Sequence, residues 1–259
     1  MIESLHSPHI GRVKALNSSR GNKERAERAE FIAEGLQCAR EALAGRKGPV
    51  VKTIYLTQSG KDRLEQAGVD AAGSEVVMVS EPVMSAMSET ITPQGIICIC
   101  SLARSNFEEL RLNGRSRLIY LHEIQDPGNA GTILRSADAM GVDAVIASPG
   151  SVDMYSPKVV RATAGSLWHI NLYTGISLNQ VTTQFPSINK VALNAHGEKS
   201  LLDLDISGDS LAIFGNEARG IDAFLDSEIT QVKIPMSGSA ESLNLSAAAA
   251  IVIFHLANS

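Results

Sequence analysis

Residues 118–141 read LIYLHEIQDPGNAGTILRSADAMG and combine an apolar run, a glycine-bordered loop and a helix-length segment. The run LIYLHEI (118–124) predicts a buried β-strand, and the segment after the loop predicts a small, tightly packing helix. Within that helix Arg135 stands out, because it places a cation six residues after the loop residue Asn129. A strand, a loop and a helix in this order are the repeating unit of α/β folds.

The same unit recurs through the rest of the chain. Short apolar runs separated by helix-length segments predict a mostly parallel sheet covered by helices on both faces. The later runs are DAVIAS (143–148), KVALNA (190–195), LAIF (211–214) and QVKI (231–234). The last helix, Ser246 to Leu256, is apolar all round and is predicted to be buried.

The N-terminal part predicts a smaller α/β unit. Its predicted strands are VKTIYLT (51–57), EVVMVS (75–80) and GIICIC (95–100), and apolar spacing predicts an amphipathic helix over Lys23–Ala44. The periodicity lapses where charge rises, which marks a linker. The predicted organisation is an N-terminal domain (1–104), a linker (105–116) and a C-terminal domain (117–259).

Charge is distributed unevenly along the 259 residues. The net charge is −5, but residues 1–60 hold ten Lys/Arg and six Asp/Glu, a net +4 that leaves −9 for the rest. The basic N-terminal region is therefore either a surface for a polyanion or a solvated helix with alternating charges. No apolar run is long enough to cross a bilayer and no signal peptide is recognisable, so we expect a cytoplasmic protein.

The sequence predicts neither a metal site nor a disulfide framework. Cys38, Cys98 and Cys100 form no CxxC pair and leave an odd thiol, which favours buried, reduced side chains. His122 and His196 lie near strand ends without ligand-spaced partners.

Three loops after predicted strands carry unusual chemistry. They are DPGNAG (126–131), GNEARG (215–220) and PMSGSAESLNLS (235–246). Each places glycine or proline beside a carboxylate, amide or hydroxyl, so backbone N–H groups are open to a ligand. Because the carboxyl ends of parallel strands share one edge of a sheet, we expect the loops to form one site.

Each loop also has a purely structural explanation. Asn129 and Asn244 could only cap their helices, and Arg135 could only pair with Asp138 on the helix surface. A dinucleotide site is disfavoured, because the first loop lacks the GxGxxG pattern and no phosphate-binding P-loop is present. The coincidence of three such loops at corresponding strand ends favours a functional site.

Together the three loops resemble the motifs of the SpoU (TrmH) family of RNA ribose 2′-O-methyltransferases, over about residues 117–259. The matching positions are Asn129, Gly131 and Arg135 in the first motif, Gly215, Glu217 and Gly220 in the second, and IPM (234–236) with SLNLS (242–246) in the third. FIAEG (31–35) and SETITPQGI (88–96) are similar to the family's N-terminal RNA-binding domain.

The resemblance implies a SPOUT-type C-terminal trefoil knot, a homodimer with the active site near the subunit interface, and S-adenosylmethionine bound bent in the knot. The implied catalytic residues are Arg135, Asn129, Glu217, Ser242 and Asn244. The implied cofactor-binding residues are Asn194, Gly215, Asn216, Gly220, Ile234, Met236 and Leu243. No metal and no membrane are implied.

The resemblance directs Arg135 at the ribose 2′-hydroxyl, with Asn129 holding it. An arginine keeps its proton to about pH 12. We therefore favour a guanidinium that stabilises the developing alkoxide and grips the adjacent phosphate over a deprotonated arginine base. Glu217 is expected to order its loop, and Ser242 and Asn244 to hydrogen-bond around the ribose or the cofactor.

The predicted function is 2′-O-methylation of a ribose in structured RNA, with ribosomal RNA favoured. The alternatives are a tRNA ribose methyltransferase and a non-catalytic RNA-binding or ribosome-assembly factor. Arg161, in PKVVRATAG, remains open between an RNA contact, a place at the partner's active site and a surface role.

Overall fold

The computed structural model describes residues 1–44, 48–71, 73–102, 105–217, 219–221 and 228–258. The first part of the chain contains α1 (Pro8–Asn17), α2 (Asn22–Arg28), β1 (Glu30–Glu34), α3 (Leu36–Leu43), β2 (Val51–Leu56), α4 (Gln58–Gln66), β3 (Glu75–Met78), α5 (Glu81–Met87) and β4 (Ile96–Ser101). The remainder contains β5 (Arg117–Leu121), α6 (Pro127–Ala139), β6 (Ala144–Ala147), α7 (Pro157–Ala162), β7 (Asn171–Thr174), α8 (Leu178–Gln184), β8 (Asn189–Leu193), β9 (Lys199–Ser200), β10 (Ser210–Phe214), β11 (Thr230–Lys233) and α9 (Leu245–Ala257).

The chain forms two compact units. Unit 1 comprises Met1–Arg104 and Asp153–His169, and unit 2 comprises Ser105–Val152 and Ile170–Ser259. The structure departs here from the predicted boundaries, because residues 153–169 were expected within the C-terminal domain.

Unit 1 is built on a four-stranded sheet with the order β1-β4-β2-β3. The pairs β1–β4 and β4–β2 are antiparallel, and β2–β3 is parallel. Helices α1 and α5 cover one face through a continuous apolar core that includes Leu16, Ile32, Tyr55 and Met84. The N-terminal half therefore buries a sizeable core of its own.

The predicted helix over Lys23–Ala44 is wrong. Helix α2 stops at Arg28, Ala29 adopts a left-handed conformation (φ 50°), and the strand β1 follows. Gly35 then has φ 91°, which glycine tolerates without strain, and α3 begins at the next residue. The apolar spacing of β1 matches a helical period by coincidence, while pairing with β4 gives it an extended conformation.

Residues 153–169 belong to unit 1 because buried contacts fix them there. The Arg25 side chain is 2% exposed, and its Nε donates to Asp153 Oδ2 at 2.7 Å. Its Nη1 also donates to the carbonyl oxygen of Leu16 at 2.6 Å. The Trp168 indole N–H donates to the carbonyl of Pro49 at 3.0 Å. The segment is thus held by charge, hydrogen bonding and aromatic burial together.

Unit 2 confirms the predicted mostly parallel sheet. Its seven described strands have the order β7-β6-β5-β10-β8-β11-β9, and every described pairing is parallel. The five strands predicted in this region are all present, and β7 and β9 are additional. Helix α8 covers one face, and α6 packs on α9, which contacts β10.

The predicted linker is not a free spacer. Phe107 and Leu110 are buried in the core of unit 2 with residues of the central strands, such as Leu118 and Leu211. The Phe107 ring also contacts Tyr173 edge to face, with ring centroids 5.5 Å apart. These apolar residues of a charged segment are therefore part of the core of unit 2, which the hydrophobic periodicity of the sequence did not indicate.

Helix α9 is only partly buried, contrary to prediction. Ala249, Val252, Ile253 and Leu256 are buried, but Ile251 and Phe254 are 42% and 57% exposed. Within the described residues, no helix is both long enough and apolar enough to span a membrane.

The Arg25–Asp153 pair generates a stability prediction. Replacing Asp153 with alanine leaves the buried guanidinium without its counter-charge, which should lower the free energy of unfolding of unit 1 by about 3–5 kcal/mol. Trp168 is the only tryptophan and lies in unit 1, so its fluorescence during urea unfolding measures the change. Glu65→Ala, at an exposed pair with Lys61, is the control that should leave the curve unchanged. Equal curves for the two variants would contradict the anchoring role.

Candidate functional site

A cleft lies at the carboxyl ends of β5, β10, β8 and β11, which are neighbours in the sheet. Its volume is about 370 Å³, within the range of small-molecule sites. The described lining residues are Asn129, Leu193, Ala195, Gly215, Asn216, Glu217, Gly220, Ile234, Met236, Ser242, Leu243, Asn244, Leu245 and Ala248. The three loops singled out in the sequence therefore meet at one edge of the sheet.

Glu217 ties the loop after β10 to the start of α6. Its Oε1 accepts from the backbone N–H of Asp126 at 3.1 Å and from Asn129 Nδ2 at 3.3 Å. Its Oε2 accepts from the backbone N–H of Gln125 at 3.1 Å. Both carboxylate oxygens thus accept hydrogen bonds, and the side chain links the two loops.

The Asn129 and Asn244 side chains join the first loop to the third. Asn244 Nδ2 donates to Asn129 Oδ1 at 3.0 Å. The other end of the same amide, Oδ1, accepts from the backbone N–H of Ser246 at 2.9 Å and so caps α9. Asn129 is buried, and its amide is used by Glu217 on one side and Asn244 on the other. The capping alternative for Asn244 is correct, and the residue also reaches the site.

The loop from Gly215 to Gly220 closes tightly on itself. Asn216 and Gly220 exchange two backbone hydrogen bonds, at 2.9 and 3.2 Å. A Cβ on Gly215 would lie 2.5 Å from the Gly220 carbonyl, so only glycine fits there. Gly220 has φ 64°, which also favours glycine. Ala218, in the middle of the predicted GNEARG motif, lies outside the described residues.

Apolar side chains form much of the cleft wall. Leu193, Ile234, Met236 and Leu243 line it, and Met236 and Leu243 are 43% and 40% exposed. Exposed apolar side chains beside a few polar groups suit a flat, partly apolar ligand.

The cleft has no free general base among its described lining residues. Glu217 is the one ionisable side chain there, and both of its oxygens already accept hydrogen bonds. His122 follows β5, and burial lowers its pKa below 6.5, with Arg219 acting in the same direction. Burial raises the pKa of Tyr120, on which His122 stacks, to about 12. Neither side chain is among the described lining residues of the cleft.

Ten of the twelve predicted site residues line the cleft. They are Asn129, Glu217, Ser242 and Asn244 from the catalytic set and Gly215, Asn216, Gly220, Ile234, Met236 and Leu243 from the cofactor set. Asn194 does not line it, although its neighbours Leu193 and Ala195 do; its Nδ2 instead donates to Gln231 Oε1 at 2.8 Å.

Arg135 also lies outside the lining. It is exposed, and the described residues offer it no hydrogen bond or ion pair. The six residues that separate it from Asn129 turn through about 600° of α-helix, so the two side chains point about 120° apart. Within one chain, Asn129 does not hold Arg135.

Sequence reasoning missed four apolar lining residues, Leu193, Ala195, Leu245 and Ala248. Leu193 ends β8 and Ala195 follows it, while Leu245 and Ala248 lie in the first turn of α9, so the only available signal was their place next to the polar loops. Among the described residues, no group of three or more His, Cys, Asp and Glu side chains is placed to hold a metal ion.

Two family models match the chain in separate ranges. The model described as the SpoU rRNA methylase family matches residues 116–254, and the model described as the MRM3-like substrate binding domain matches residues 11–98.

Individual relatives match over nearly the whole chain. The 23S rRNA (guanosine(2553)-2′-O)-methyltransferase RlmP of Bacillus subtilis is 32% identical, over 98% of this chain and 99% of its own. The 23S rRNA (uridine(2479)-2′-O)-methyltransferase of Streptomyces viridochromogenes is 26% identical over 90% and 85%. The crystal structure of an AdoMet-bound rRNA methyltransferase from Sinorhizobium meliloti superposes with a TM-score of 0.84 at 29% identity, covering 98% and 96%.

The double use of Asn244 generates a prediction that separates its two roles. Asn244→Ala removes the cap of α9 and should lower the free energy of unfolding of unit 2 by about 0.5–2 kcal/mol. Asn244→Ser keeps a capping oxygen but is too short to reach Asn129, so it should retain most of that stability. Urea unfolding followed by circular dichroism measures both, and an equal loss in the two variants would mean that the cap is not the stabilising contact.

Proposed function

The chain belongs to the SpoU rRNA methylase family, and on that premise we propose that it methylates a ribose 2′-oxygen of ribosomal RNA as a homodimer. As a member of this family it is an RNA 2′-O-methyltransferase that uses S-adenosylmethionine. The relatives reported above are named for 23S rRNA, which favours ribosomal RNA over tRNA. A cytoplasmic location, where ribosomes are assembled, is part of the same proposal.

The cleft fits the cofactor in size and chemistry. A volume of about 370 Å³, apolar walls from Ile234, Met236 and Leu243, and the two glycines Gly215 and Gly220 on the lining suit an adenosine moiety. We assign cofactor binding to these residues and to Asn216, with Asn194 supporting the turn beside them. The cofactor, when bound, supplies an electrophilic methyl group. The trefoil knot that the resemblance implies remains part of this proposal.

A ribose hydroxyl needs help to lose its proton during methyl transfer. The described lining residues provide no free base, because the oxygens of Glu217 are occupied. A guanidinium close to the hydroxyl would stabilise the alkoxide as it forms and bind the neighbouring phosphate, an oxygen of which accepts the proton. We assign that role to Arg135.

Arg135 is exposed and does not line the cleft of its own chain, so we propose that it acts in the partner's cleft. The exposed apolar face of α9 supports a dimer. Ala247, Ile251 and Phe254 follow helical spacing along this face, and α9 packs on α6, which carries Arg135. Large apolar residues exposed in this way are typical of protein interfaces. The site would then be complete only in the assembly.

The remaining predicted catalytic residues are assigned by what they contact. Glu217 fixes the loop after β10 against the loop after β5 by hydrogen bonds, and Asn129 connects both loops to Asn244. These three are positioning residues in this proposal. Ser242 is exposed on the cleft wall and is free to donate to the ribose or to the carboxylate end of the cofactor.

The proposed activity is tested by transfer of a tritiated methyl group from S-adenosylmethionine to in vitro transcribed 23S rRNA. We expect incorporation into 23S rRNA but not into tRNA, at a ribose that resists alkaline cleavage afterwards. Arg135→Ala should reduce the rate about 100-fold or more, as for loss of an electrostatic stabiliser. Cofactor binding should be retained, because Arg135 does not line the cleft. Methylation of tRNA alone, or an unchanged rate in Arg135→Ala, would overturn the assignment.

Mixed dimers test whether Arg135 acts across the interface. Gly215→Val should close the cleft, because its added carbons meet the Gly220 backbone. Arg135→Ala and Gly215→Val are each inactive alone, but their mixed dimer carries one intact site if Arg135 acts in the partner's cleft. Statistical exchange should therefore restore about one quarter of the wild-type rate.

The control for this experiment adds Phe254→Asp to both subunits. A charge on the apolar face of α9 should prevent association, which light scattering would detect, and abolish the recovery. No recovery from stable mixed dimers would place Arg135 in its own subunit's site.

A further inference from the structure

Unit 1 contains a second cavity, of about 550 Å³, that the methyl-transfer site does not use. It lies at the carboxyl end of β1, where the connection from α5 to β4 and the helix α7 meet it. The described lining residues are Glu34, Gly35, Leu36, Gln37, Cys38, Thr90, Thr92, Gln94, Arg161 and Ala164. Two of these carry opposite charges, Glu34 and Arg161, and no described residue forms an ion pair with either.

Glu34 is a buried carboxylate with one oxygen unused. The residue is 8% exposed, and its Oε1 accepts from Thr90 Oγ1 at 2.7 Å and from Ser88 Oγ. Among the described residues, nothing hydrogen-bonds its buried Oε2. An unpaired carboxylate oxygen in such a place is costly, so its retention points to an external donor.

Arg161 presents a matching unused donor. Its Nη1 is buried, and no described residue accepts a hydrogen bond from it. The described part of the chain has no ion pair between Arg161 and Glu34, although both line the same cavity. Both charges affect the thiol of Cys38, which lines the same cavity. Burial raises the pKa of this thiol to about 11, the charge of Arg161 lowers it and the charge of Glu34 raises it further.

A ligand that satisfies both groups must donate hydrogen bonds at one edge and accept them at another. Among the RNA bases, guanine alone has two adjacent donors, N1–H and N2–H, which match a carboxylate. Its O6 and N7 are the acceptors that arginine most often recognises. Adenine and cytosine would each turn a ring-nitrogen lone pair towards Glu34, and uracil offers it a single donor.

We propose that this cavity binds a guanine base of the RNA substrate, with the unused Oε2 of Glu34 accepting from the N1–H and N2–H edge and Arg161 donating to O6 and N7. The side chain of Leu36, half-exposed on the wall, offers an apolar surface for the ring. Helix α3 begins at this wall with no acidic residue in its first turn, which favours an adjacent phosphate. The base would be unpaired, since its Watson–Crick edge faces Glu34.

That the guanine belongs to RNA rests on the proposed function. The substrate-binding family model covers residues 11–98 and therefore includes Glu34 but not Arg161. Arg161 joins the cavity only because residues 153–169 fold into unit 1. The guanine contact would thus combine residues that the two family models assign to different parts of the chain.

Calorimetric titration of the full-length protein with 5′-GMP, 5′-IMP and 5′-AMP tests the proposal. Saturating S-adenosylhomocysteine blocks the cofactor cleft, and the shared ribose and phosphate leave the base as the variable. We expect 5′-GMP to bind about tenfold or more tightly than 5′-AMP, since a bidentate contact is worth about 1–3 kcal/mol. Inosine monophosphate lacks the N2 amine and should lie between them.

Two variants and two matched controls identify the groups. Glu34→Gln keeps an oxygen for Ser88 and Thr90 but replaces the unused acceptor with a donor, so 5′-GMP affinity should fall about tenfold or more. Arg161→Met keeps the apolar stem and should cause a similar loss. Glu65→Gln and Arg20→Met change exposed residues elsewhere in unit 1 and should have no effect. Unchanged melting temperatures show that the fold is retained.

Three outcomes would overturn the guanine assignment. The first is equal binding of 5′-GMP and 5′-AMP, and the second is no binding of 5′-GMP at 10-fold molar excess over a millimolar protein sample. The third is an unchanged affinity for 5′-GMP in both variants. The titration needs no turnover, so its outcome is independent of the methyl-transfer assay. Methylation of rRNA without selective 5′-GMP binding removes only this site. Selective binding without methylation would leave the site standing and remove the proposed function.

Discussion

The hydrogen-bonded chain Glu217–Asn129–Asn244 is the interaction on which the candidate site depends. Each of its members comes from a different loop, and about 115 residues separate Asn129 from Asn244 along the sequence. Parallel strands bring the three loops to one edge of the sheet, but the strands alone do not fix the conformation of each loop. The amide and carboxylate contacts remove that freedom and set the cleft's shape before a ligand arrives, which lowers the entropic cost of binding.

The same contacts bear on the proposed dimer, in which a second chain would complete the active site. The Glu217 carboxylate accepts three hydrogen bonds, so it connects two loops firmly. It is a poor proton acceptor for the same reason, because a general base needs a free lone pair that faces its substrate. We therefore assign Glu217 to positioning, and Arg135 lies outside the lining of the cleft in its own chain. In the proposed dimer, catalysis is therefore coupled to association.

Much of the fold could be predicted from sequence, and the exceptions have physical causes. Of the five strands predicted in the C-terminal half, β5, β6 and β10 are buried along most or all of their length, which matches their continuous apolar runs, whereas β8 and β11 are only partly buried. β1 was missed because EFIAE continues the helical spacing of its neighbours, and only Gly35 marked a break. The motif loops were recognised by their residue types, but a residue type does not show in which direction its side chain points. Asn129 and Arg135 belong to one motif but lie on different sides of one helix.

Residues 153–169 show most directly what a sequence match leaves open. A family model reports which range of the chain is related, whereas a folding unit is defined by which side chains share a core. The SpoU model covers this segment, but Arg25, Phe31 and Pro49 bind it into unit 1 through an ion pair, a ring contact and a hydrogen bond. The chain thus leaves unit 2 after β6 and returns before β7. Because this excursion carries Arg161, the chemistry available to unit 1 includes a cation that the N-terminal sequence alone does not encode.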